Sequence, residues 1–266
     1  MARQIVTLTT DFGHTDHFVG VLKGVILKLA PETEIVDISH DVRPYDILDG
    51  AYTVAQAYRY FPNWTIHLVI VDPGVGTSRR PILANSDHHW FVAPDNGVLS
   101  FMYAQEPDHR VRHITSEHYF ISPVSQTFQG RDIFAPVVGW MARGVEADKF
   151  GDIVTDYVRF APPKPKPVNE NTLQGVIIKV DRFGNLITNI TPQDVPRLFL
   201  ETPPPFKITV GKGEVTKLNL NYAQSPAGEV FIIVGSSGYL ELSTNKGSAS
   251  RILQADRGAP VGVIFA

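Results

Sequence analysis

An aspartate and an arginine bracket a short turn-forming segment at residues 72–79. Asp72 directly follows a nearly continuous apolar run, Thr65–Val71, and Arg79 comes seven residues later. One proline and two glycines between them force a tight loop whose backbone can approach a ligand closely. A carboxylate and a guanidinium so placed can face each other across a pocket. The simpler interpretation is a turn with a weak surface ion pair.

A second acidic segment follows the first apolar run of the chain. Asp11 comes directly after Ile5–Thr10, and Asp16 lies five positions further on. A carboxylate just past a strand can accept hydrogen bonds from both hydroxyls of a ribose, and a second one at a helix start can pair with a ligand ammonium. Helix capping by Thr15 or Asp16, with a turn at Gly13, explains the same residues equally well.

Other polar segments are ordinary when each is taken singly. Residues 127–132 resemble a loop that enters a helix, and residues 181–185 a hairpin turn. Residues 236–241 carry two serines and a glutamate in another turn, and Pro94–Gly97 is predicted to cap a helix. No single motif decides what this chain does.

The elements before residue 162 predict an α/β domain. Ile5–Thr10, Glu34–Ile38 and Thr65–Val71 have the character of strands, and apolar residues recur at helical spacing across residues 18–29 and 47–58. This alternation favours a mainly parallel central sheet covered by helices. A further helix is predicted from Ile133 to Arg143. Ligands of such sheets bind beyond the carboxyl ends of the strands, where Asp11 and Asp72 fall.

The second part of the chain has a different pattern. Residues 163–171 are rich in proline and lack apolar periodicity, which predicts an exposed linker between domains 1–162 and 172–266. The latter domain is predicted to be a smaller all-β barrel. Its strand-like segments are Gly175–Val180, Leu186–Ile190, Phe206–Val210, Val215–Leu220, Val230–Val234, Tyr239–Leu242 and Val261–Phe265.

Composition excludes several classes of function. The net charge of the 266-residue chain is −3, so no basic surface for nucleic acid is expected. Cysteine is absent, which removes disulfides and thiolate chemistry and fits a reducing compartment. The first apolar run is too short for a signal peptide, and none has the roughly 18–20 residues of a membrane helix. We therefore expect a cytoplasmic protein without membrane contact.

The order and combination of the segments are more specific than any one of them. Together they resemble the S-adenosyl-L-methionine (SAM) hydroxide adenosyltransferase family, whose relatives include fluorinating and chlorinating enzymes. The resemblance covers nearly the whole chain and implies hydrolysis of SAM to adenosine and methionine, with no cofactor and no metal. The residues that carry it are Thr10-Asp11-Phe12-Gly13, residues 72–76, Gly130-Arg131-Asp132, Phe183-Gly184-Asn185 and Gly238-Tyr239-Leu240.

The resemblance also implies binding roles within the first domain. Asp11 is expected to hold the ribose hydroxyls and Asp16 to meet the methionine ammonium. Tyr45 is expected to pack on the ribose or adenine, with Phe128 nearby. Carboxylates suit a diol and an ammonium, and aromatic faces suit a planar base and a sulfonium cation.

A homotrimer is implied as well, with each active site between the first domain of one subunit and the second domain of its neighbour. From the neighbour, Asp181, Ser236 and Ser237 are expected to bind the amino-acid end of the substrate. Phe183 and Asn185 are expected to contact adenine. Glu241 and Asn245 lie beside the adenine-binding segment.

Asp72 argues for water rather than a halide as the nucleophile. In the halide-using relatives an uncharged tyrosine takes this position, whereas a carboxylate would repel chloride or fluoride in a dry pocket. A carboxylate accepts a hydrogen bond from water instead. Hydrolases of the family use an aspartate, an arginine and a histidine, and Asp72 and Arg79 match the first two. Gln129 replaces the histidine, and its amide can orient water but cannot carry a proton near neutral pH.

Three other functions remain open from the sequence. Halide-dependent substitution on the same substrate would yield a 5′-halogenated nucleoside in chloride. A sensor that binds SAM or adenosine without turnover would release no adenosine, and Gln129 keeps this possibility open. A metal-dependent hydrolase that uses the carboxylates and histidines of residues 11–17 would lose activity on chelation, although no established metal-binding spacing accompanies them.

Overall fold

A computed structural model describes residues 3–266, which divide into two compact units at Pro162 and Pro163. Each unit has its own apolar core. Among the residues described, no helix has the length and apolar character needed to cross a bilayer.

The first unit is an α/β structure built on one seven-stranded sheet. Its strands are β1 (Ile5–Thr10), β2 (Glu34–Ser39), β3 (Ile66–Ile70), β4 (Pro81–Asn85), β5 (Trp90–Pro94), β6 (Arg110–His113) and β7 (Ile153–Val154). Its helices are α1 (Phe18–Leu29), α2 (Ile47–Ala57), α3 (Ser100–Gln105) and α4 (Ala135–Ala142), the last preceded by a π-helical turn at Gly130–Phe134. The strands and helices predicted in this part of the chain are present with small shifts of their ends.

The prediction of a mainly parallel sheet is wrong. The strand order is β2-β1-β3-β5-β4-β6-β7, and the first four strands in this order are parallel, whereas β4, β6 and β7 pair antiparallel with their neighbours. The reason is local: only residues 86–89 join β4 to β5. So short a connection permits an antiparallel hairpin, whereas a parallel pair needs a crossover of a dozen or more residues. The sheet is therefore mixed.

Helices cover both faces of this sheet. On one face, Leu22 and Ile26 of α1 pack with Val137 and Val138 of α4 against the strands. On the other, α2 and α3 enclose a second cluster that includes Val54. The buried residues of α1 recur three and four positions apart, which is the pattern that predicted the helix.

The four parallel strands end at one edge, and a polar residue follows each of them within two positions. Thr10 of β1 is level with Ile70 of β3, so Asp11 and the Val71–Asp72 pair emerge side by side. His40 follows β2 and Asp95 follows β5 at the same edge. This carboxyl edge is the position at which open α/β sheets bind ligands.

The second unit is a nearly closed, barrel-like antiparallel sheet of eight strands with one short α-helix, α5 (Ala249–Leu253), and three short 3₁₀ turns. Hydrogen bonds of Lys217 and Asn219 to Ile232 join the chain after β12 to β13 and bring the two ends of the sheet together. The strands are β8 (Lys166–Asn169), β9 (Thr172–Val180), β10 (Leu186–Thr188), β11 (Phe206–Val210), β12 (Gly213–Val215), β13 (Val230–Val234), β14 (Leu240–Thr244) and β15 (Pro260–Phe265).

Two segments of this unit differ from what the sequence predicts. Lys166–Asn169, inside the predicted linker, forms strand β8 at the edge of β9. All four of its residues are exposed, as expected of an edge strand that contains a proline. The strand predicted at Val215–Leu220 ends at Val215, and only a single bridge at Leu218 continues it.

Candidate active site

The pair Asp72–Arg79 is a nearly buried ion pair rather than a surface one. The exposed fractions of the two side chains are 6% and 8%. Arg79 Nε lies 3.0 Å from Asp72 Oδ1 and 2.9 Å from Oδ2, and a terminal guanidinium nitrogen also donates to Oδ2. A two-nitrogen contact of this kind fixes the plane of the carboxylate, which a single lysine contact would not do.

The loop that carries this pair packs tightly on the segment before the π-helical turn. Gly76 has φ +78°, and a β-carbon added there would lie 2.3 Å from the carbonyl oxygen of Gln126. Only glycine fits such an approach. The Arg79 guanidinium also lies 5.1 Å from the ring centre of Phe134, within the range of a cation–π contact. The loop is thereby held against residues 126–134.

Gln129 lies at the start of the π-helical turn, where the family pattern has histidine. It is 9% exposed, and its Oε1 atom is buried without a hydrogen-bond partner within residues 3–266. Leaving a buried amide oxygen unpaired costs about 1–3 kcal/mol. An oxygen kept in this state is available to a bound water or a ligand.

Asp11 shares the carboxyl edge with Asp72. One of its oxygens accepts a hydrogen bond of 2.8 Å from the backbone N–H of Tyr45, which has φ +66° and an exposed ring. Burial raises the pKa of Asp11, backbone N–H donors including that of Tyr45 oppose this, and the negative charge of Asp72 raises it further. The two carboxylates are therefore close enough to interact and form a locally acidic site.

Two other residues predicted to belong to the site, Asp16 and Phe128, differ in their exposure to solvent. Asp16 is exposed in the loop before α1. Phe128 is half-buried and packs edge-on against Phe18 and Phe12, with ring centres 5.1 and 6.3 Å apart. Asp16 is thus free to meet a ligand, whereas Phe128 belongs to an aromatic cluster beneath the loop of residues 11–17.

In the second unit, Asp181 organises the hairpin between β9 and β10. Its Oδ1 accepts hydrogen bonds from the backbone N–H groups of Phe183 and Asn185 at 2.9 and 2.8 Å, and its Oδ2 accepts one from Asn185 Nδ2 at 2.8 Å. Asn185 is buried, whereas the ring of Phe183 is 77% exposed. The turn presents an aromatic face to the outside and holds a carboxylate behind it.

Glu241 lies on strand β14, where it pairs with Ile187 of β10, the strand that follows this hairpin. It is buried, and a β-carbon added at Gly235 would lie 1.7 Å from a Glu241 carboxyl oxygen. Burial, and then the charge of Asp181, raises the pKa of Glu241 to about 7. Ser236 is exposed in the turn after Gly235, and the hydroxyl of Ser237 is buried without a partner in the described part of the chain. Asp181, Glu241 and the two serines thus meet at one end of the barrel-like sheet.

We expect Glu241 to lower the stability of the folded protein at alkaline pH. Between about pH 4.5, the ordinary value, and pH 7, the folded chain keeps a proton that the unfolded chain has released. Stability therefore falls as pH rises through this window, by at most about 1.4 kcal/mol per pH unit. Thermal unfolding of Glu241→Gln should match the unmodified protein at pH 5 and show a midpoint several degrees higher at pH 8.

The matched control for this test is Glu170→Gln, an exposed glutamate of the same unit. It should leave the midpoint unchanged at both pH values. A Glu241→Gln protein that is equally destabilised at pH 5 and pH 8 would show that the carboxyl is held by contacts that do not depend on its charge.

Sequence inspection missed two residues beside these groups. His40 is buried at the end of β2, its Nδ1 lies 2.8 Å from Thr10 Oγ1, and its carbonyl oxygen accepts a 2.8 Å hydrogen bond from Gly13 N–H. Its place directly after a parallel strand was the available signal. Tyr222 lies near Asp181 and Glu241, since burial and then these two charges raise its pKa. No sequence signal indicates this proximity, because the long loop between β12 and β13 brings Tyr222 there.

No group of three or more histidine, aspartate or glutamate side chains within residues 3–266 is arranged to hold a metal ion. The carboxylates and histidines of residues 11–17, considered only as an alternative metal site, do not converge. Asp11 turns toward the Tyr45 backbone, and the ring of His14 lies edge-on to His40, with centres 4.9 Å apart. What the first unit offers is a pair of edge carboxylates, one of them fixed by a guanidinium.

These features define an α/β enzyme whose polar groups lie beyond the ends of its parallel strands. Residues 6–151 match the model of the SAM hydroxide adenosyltransferase N-terminal domain, and residues 175–262 match that of its C-terminal domain. The chain belongs to the SAM hydroxide adenosyltransferase family. The resemblance found in the sequence is confirmed.

Relatives match over nearly the whole length. An (R)-S-adenosyl-L-methionine hydrolase of Methanocaldococcus jannaschii is 31% identical over 269 residues, which cover 98% of this chain and 96% of the relative. A crystal structure of an uncharacterized conserved protein from Thermotoga maritima is 34% identical, with a TM-score of 0.90 over 98% of this chain and all of its own. A fluorinase of Actinoplanes sp. is 27% identical over 270 residues, 91% of each chain.

Proposed function

We propose that this protein is an enzyme that hydrolyses SAM to adenosine and L-methionine. The observation that carries the proposal is the Asp72–Arg79 ion pair at the carboxyl edge of the sheet. It is nearly buried and is held by hydrogen bonds from two guanidinium nitrogens. The name of the Methanocaldococcus jannaschii relative specifies the R epimer. We take this epimer, in which the sulfonium centre has the R configuration, as the substrate.

The reaction is a displacement at the ribose 5′ carbon. A water oxygen forms the new bond to this carbon while the carbon–sulfur bond breaks, and the electron pair of that bond stays on the methionine sulfur, which leaves as a neutral thioether. Asp72 accepts a hydrogen bond from the water and takes its proton. Arg79 holds the carboxylate plane, so that the water is aligned with the bond that breaks.

Substrate binding uses the remaining residues of the first unit. Asp11 receives the ribose hydroxyls, and its remaining acceptor capacity beyond the Tyr45 N–H bond permits this. Asp16, exposed before α1, pairs with the methionine ammonium. The exposed ring of Tyr45 packs on the nucleoside, with Phe128 nearby. No cofactor takes part, because the sulfonium charge already makes neutral methionine a good leaving group, and activity should survive exhaustive chelation.

Residues of the second unit complete the site from a neighbouring subunit in a homotrimer. Asp181, Ser236 and Ser237 bind the amino-acid end, Phe183 and Asn185 contact adenine, and Glu241 with Asn245 lies beside them. The exposed Phe183 ring suits this role. Mixing the impaired Asp72→Asn and Asp181→Ala proteins after reversible dissociation should restore part of the activity, since some interfaces then carry two intact halves. Absence of recovery in a trimer would contradict a shared site, and sedimentation as a monomer would contradict the trimer.

The function is tested by product analysis. The purified protein is incubated separately with the R and S epimers of SAM in ¹⁸O-labelled water, with and without chloride. We expect adenosine that carries ¹⁸O at the 5′ oxygen, formed faster from the R epimer. Formation of 5′-chloro-5′-deoxyadenosine would favour halide substitution, and tight binding without any nucleoside released would favour a sensor.

The cytoplasmic location stays a prediction from the cysteine-free sequence.

Replacing Gln129 by histidine is expected to raise the turnover number severalfold or more. The imidazole can take up a proton near neutral pH, which the amide cannot, so the gain should grow as pH rises through about 6.5. Steady-state adenosine release by both proteins between pH 5.5 and 8.5 measures it. Gln126→His, an exposed position of the same segment, is the control. An equal rate for Gln129→His and the unmodified protein would remove this residue from the mechanism.

A further inference from the structure

We propose that Asp95 and Asn96, in the turn Pro94–Gly97, are positioning residues that hold the Asp72–Arg79 pair in its reactive geometry. The inference rests on the proposed function for the role of the pair. It concerns a turn whose sequence alone predicted only a helix cap. The turn contacts both ends of the loop from Val71 to Arg80 (the 71–80 loop).

The strand order places this turn directly beneath the 71–80 loop. The loop joins β3 to β4, but β5 lies between these two strands in the sheet. β5 is parallel to β3 and antiparallel to β4, so the end of β3, the end of β5 and the start of β4 lie at one edge, where Pro94 pairs with Pro81. The 71–80 loop must therefore cross the end of β5, and the turn that follows β5 meets it.

Asn96 holds the first end of the loop. Its Nδ2 donates a 2.8 Å hydrogen bond to the carbonyl oxygen of Val71, the fully buried residue directly before Asp72. Its Oδ1 accepts a hydrogen bond of 3.1 Å from the backbone N–H of Val98. Both functions of the amide are used, so the side chain links the end of β3 to the start of the next helical segment.

Asp95 holds the second end through Arg80, the residue directly after Arg79. Arg80 Nε lies 2.9 Å and Nη2 2.7 Å from Asp95 Oδ2, and the backbone N–H of Asp95 donates to the Arg80 carbonyl oxygen at 2.8 Å. The other oxygen, Oδ1, accepts a 2.7 Å hydrogen bond from Val158 N–H. With a side chain only 2% exposed, Asp95 is a fixed partner rather than a surface charge.

The two anchored residues are the immediate neighbours of the reactive pair. Val71 precedes Asp72 and Arg80 follows Arg79, so one turn fixes where the loop begins and where it ends. Between these points Val75 N–H bonds to the Asp72 carbonyl oxygen, and Thr77 N–H to that of Gly74. Alignment of a nucleophile tolerates little error, since a displacement of about 1 Å can lower a rate by two orders of magnitude.

The experiment uses two isosteric exchanges. Asn96→Asp keeps the acceptor for Val98 and removes the donor to Val71, whereas Asp95→Asn removes the charge that Arg80 pairs with. We expect each to lower kcat for adenosine release about tenfold or more with KM changed less than twofold. The matched control is Asp156→Asn, which makes the same exchange at the other carboxylate of Arg80, one that is 78% exposed. The control should leave kcat unchanged.

Two measurements separate positioning from a general structural defect. In an Asp72→Asn background, neither exchange should lower kcat further if both act through the ion pair. Amide hydrogen exchange of the 71–80 loop, which needs no turnover, should rise in both variants and stay unchanged in the control. An unmodified protein that releases no adenosine would contradict the proposed function. Amide hydrogen exchange would still measure how firmly the turn holds the 71–80 loop. The inference would be overturned by additive losses in kcat, by a change confined to KM, or by unaltered amide hydrogen exchange in the loop.

Discussion

Exchanging Asp72 for asparagine is expected to lower the turnover number for adenosine release by about 10²- to 10⁴-fold, the range typical for loss of a general base. Asparagine keeps the shape of the side chain and one oxygen that can accept from Arg79. It cannot take a proton from water. Steady-state release of adenosine measures kcat, and isothermal titration calorimetry measures the affinity for SAM.

The affinity measurement identifies which step the exchange affects. If Asp72 acts on water, the dissociation constant for SAM should change little while kcat falls. Asp108→Asn, at an exposed aspartate of the same unit, is the matched control and should leave both quantities unchanged. A tenfold weaker affinity with normal kcat would instead make Asp72 a binding residue, and the proposed attack of water would need another base.

Exchanging Asp11 for asparagine is expected to lower kcat/KM by about 10- to 100-fold, the effect of losing hydrogen bonds to a charged group worth about 1.5–3 kcal/mol. Asparagine retains an oxygen for the Tyr45 N–H, so the loop should keep its conformation. The substitution removes the negative charge and one acceptor for the ribose hydroxyls. Initial rates at several SAM concentrations measure kcat/KM.

A modified substrate tests whether the ribose is the group that Asp11 recognises. The 2′-deoxy analogue of SAM should react more slowly than SAM with the unmodified protein, because one hydroxyl is missing. With Asp11→Asn the difference between the two substrates should shrink, as expected for two groups that interact directly. An undiminished difference would place the recognition of the ribose elsewhere, even if Asp11→Asn is impaired.

Several elements of the first unit follow from local patterns. Val19, Leu22 and Ile26 are buried at helical spacing in α1, and the apolar run at β3 is buried along its whole length. The strands β4 to β7 were not predicted. They are short, the first begins with proline, and β7 has two residues, so no periodicity can develop. Their antiparallel pairing is why the expected mainly parallel sheet is mixed.

Some features of the candidate site can likewise be predicted from the sequence, whereas others depend on packing between distant segments. That Asp11 and Asp72 each follow a strand is visible in the chain, and from it the sequence predicts that both lie at a ligand-binding edge. The depth at which Asp72 and Arg79 are buried is not visible, because it depends on Gln126 and Phe134, which approach from about fifty residues away. A turn with a surface ion pair remained the alternative until that packing was known, although Asp72 directly follows a strand that the sequence predicts to be buried.

By itself, the sequence determined the family, the two types of domain, and which polar residues end a strand, because these depend on neighbours along the chain or on the order of motifs. Only the tertiary structure decided that β5 lies between β3 and β4, and hence that Asp95 and Asn96 meet the 71–80 loop. It also decided that Glu241 is buried close enough to Asp181 for that charge to raise its pKa. Strand order and burial arise from pairing between distant segments, and the free energy of such contacts leaves no local pattern in the amino-acid sequence.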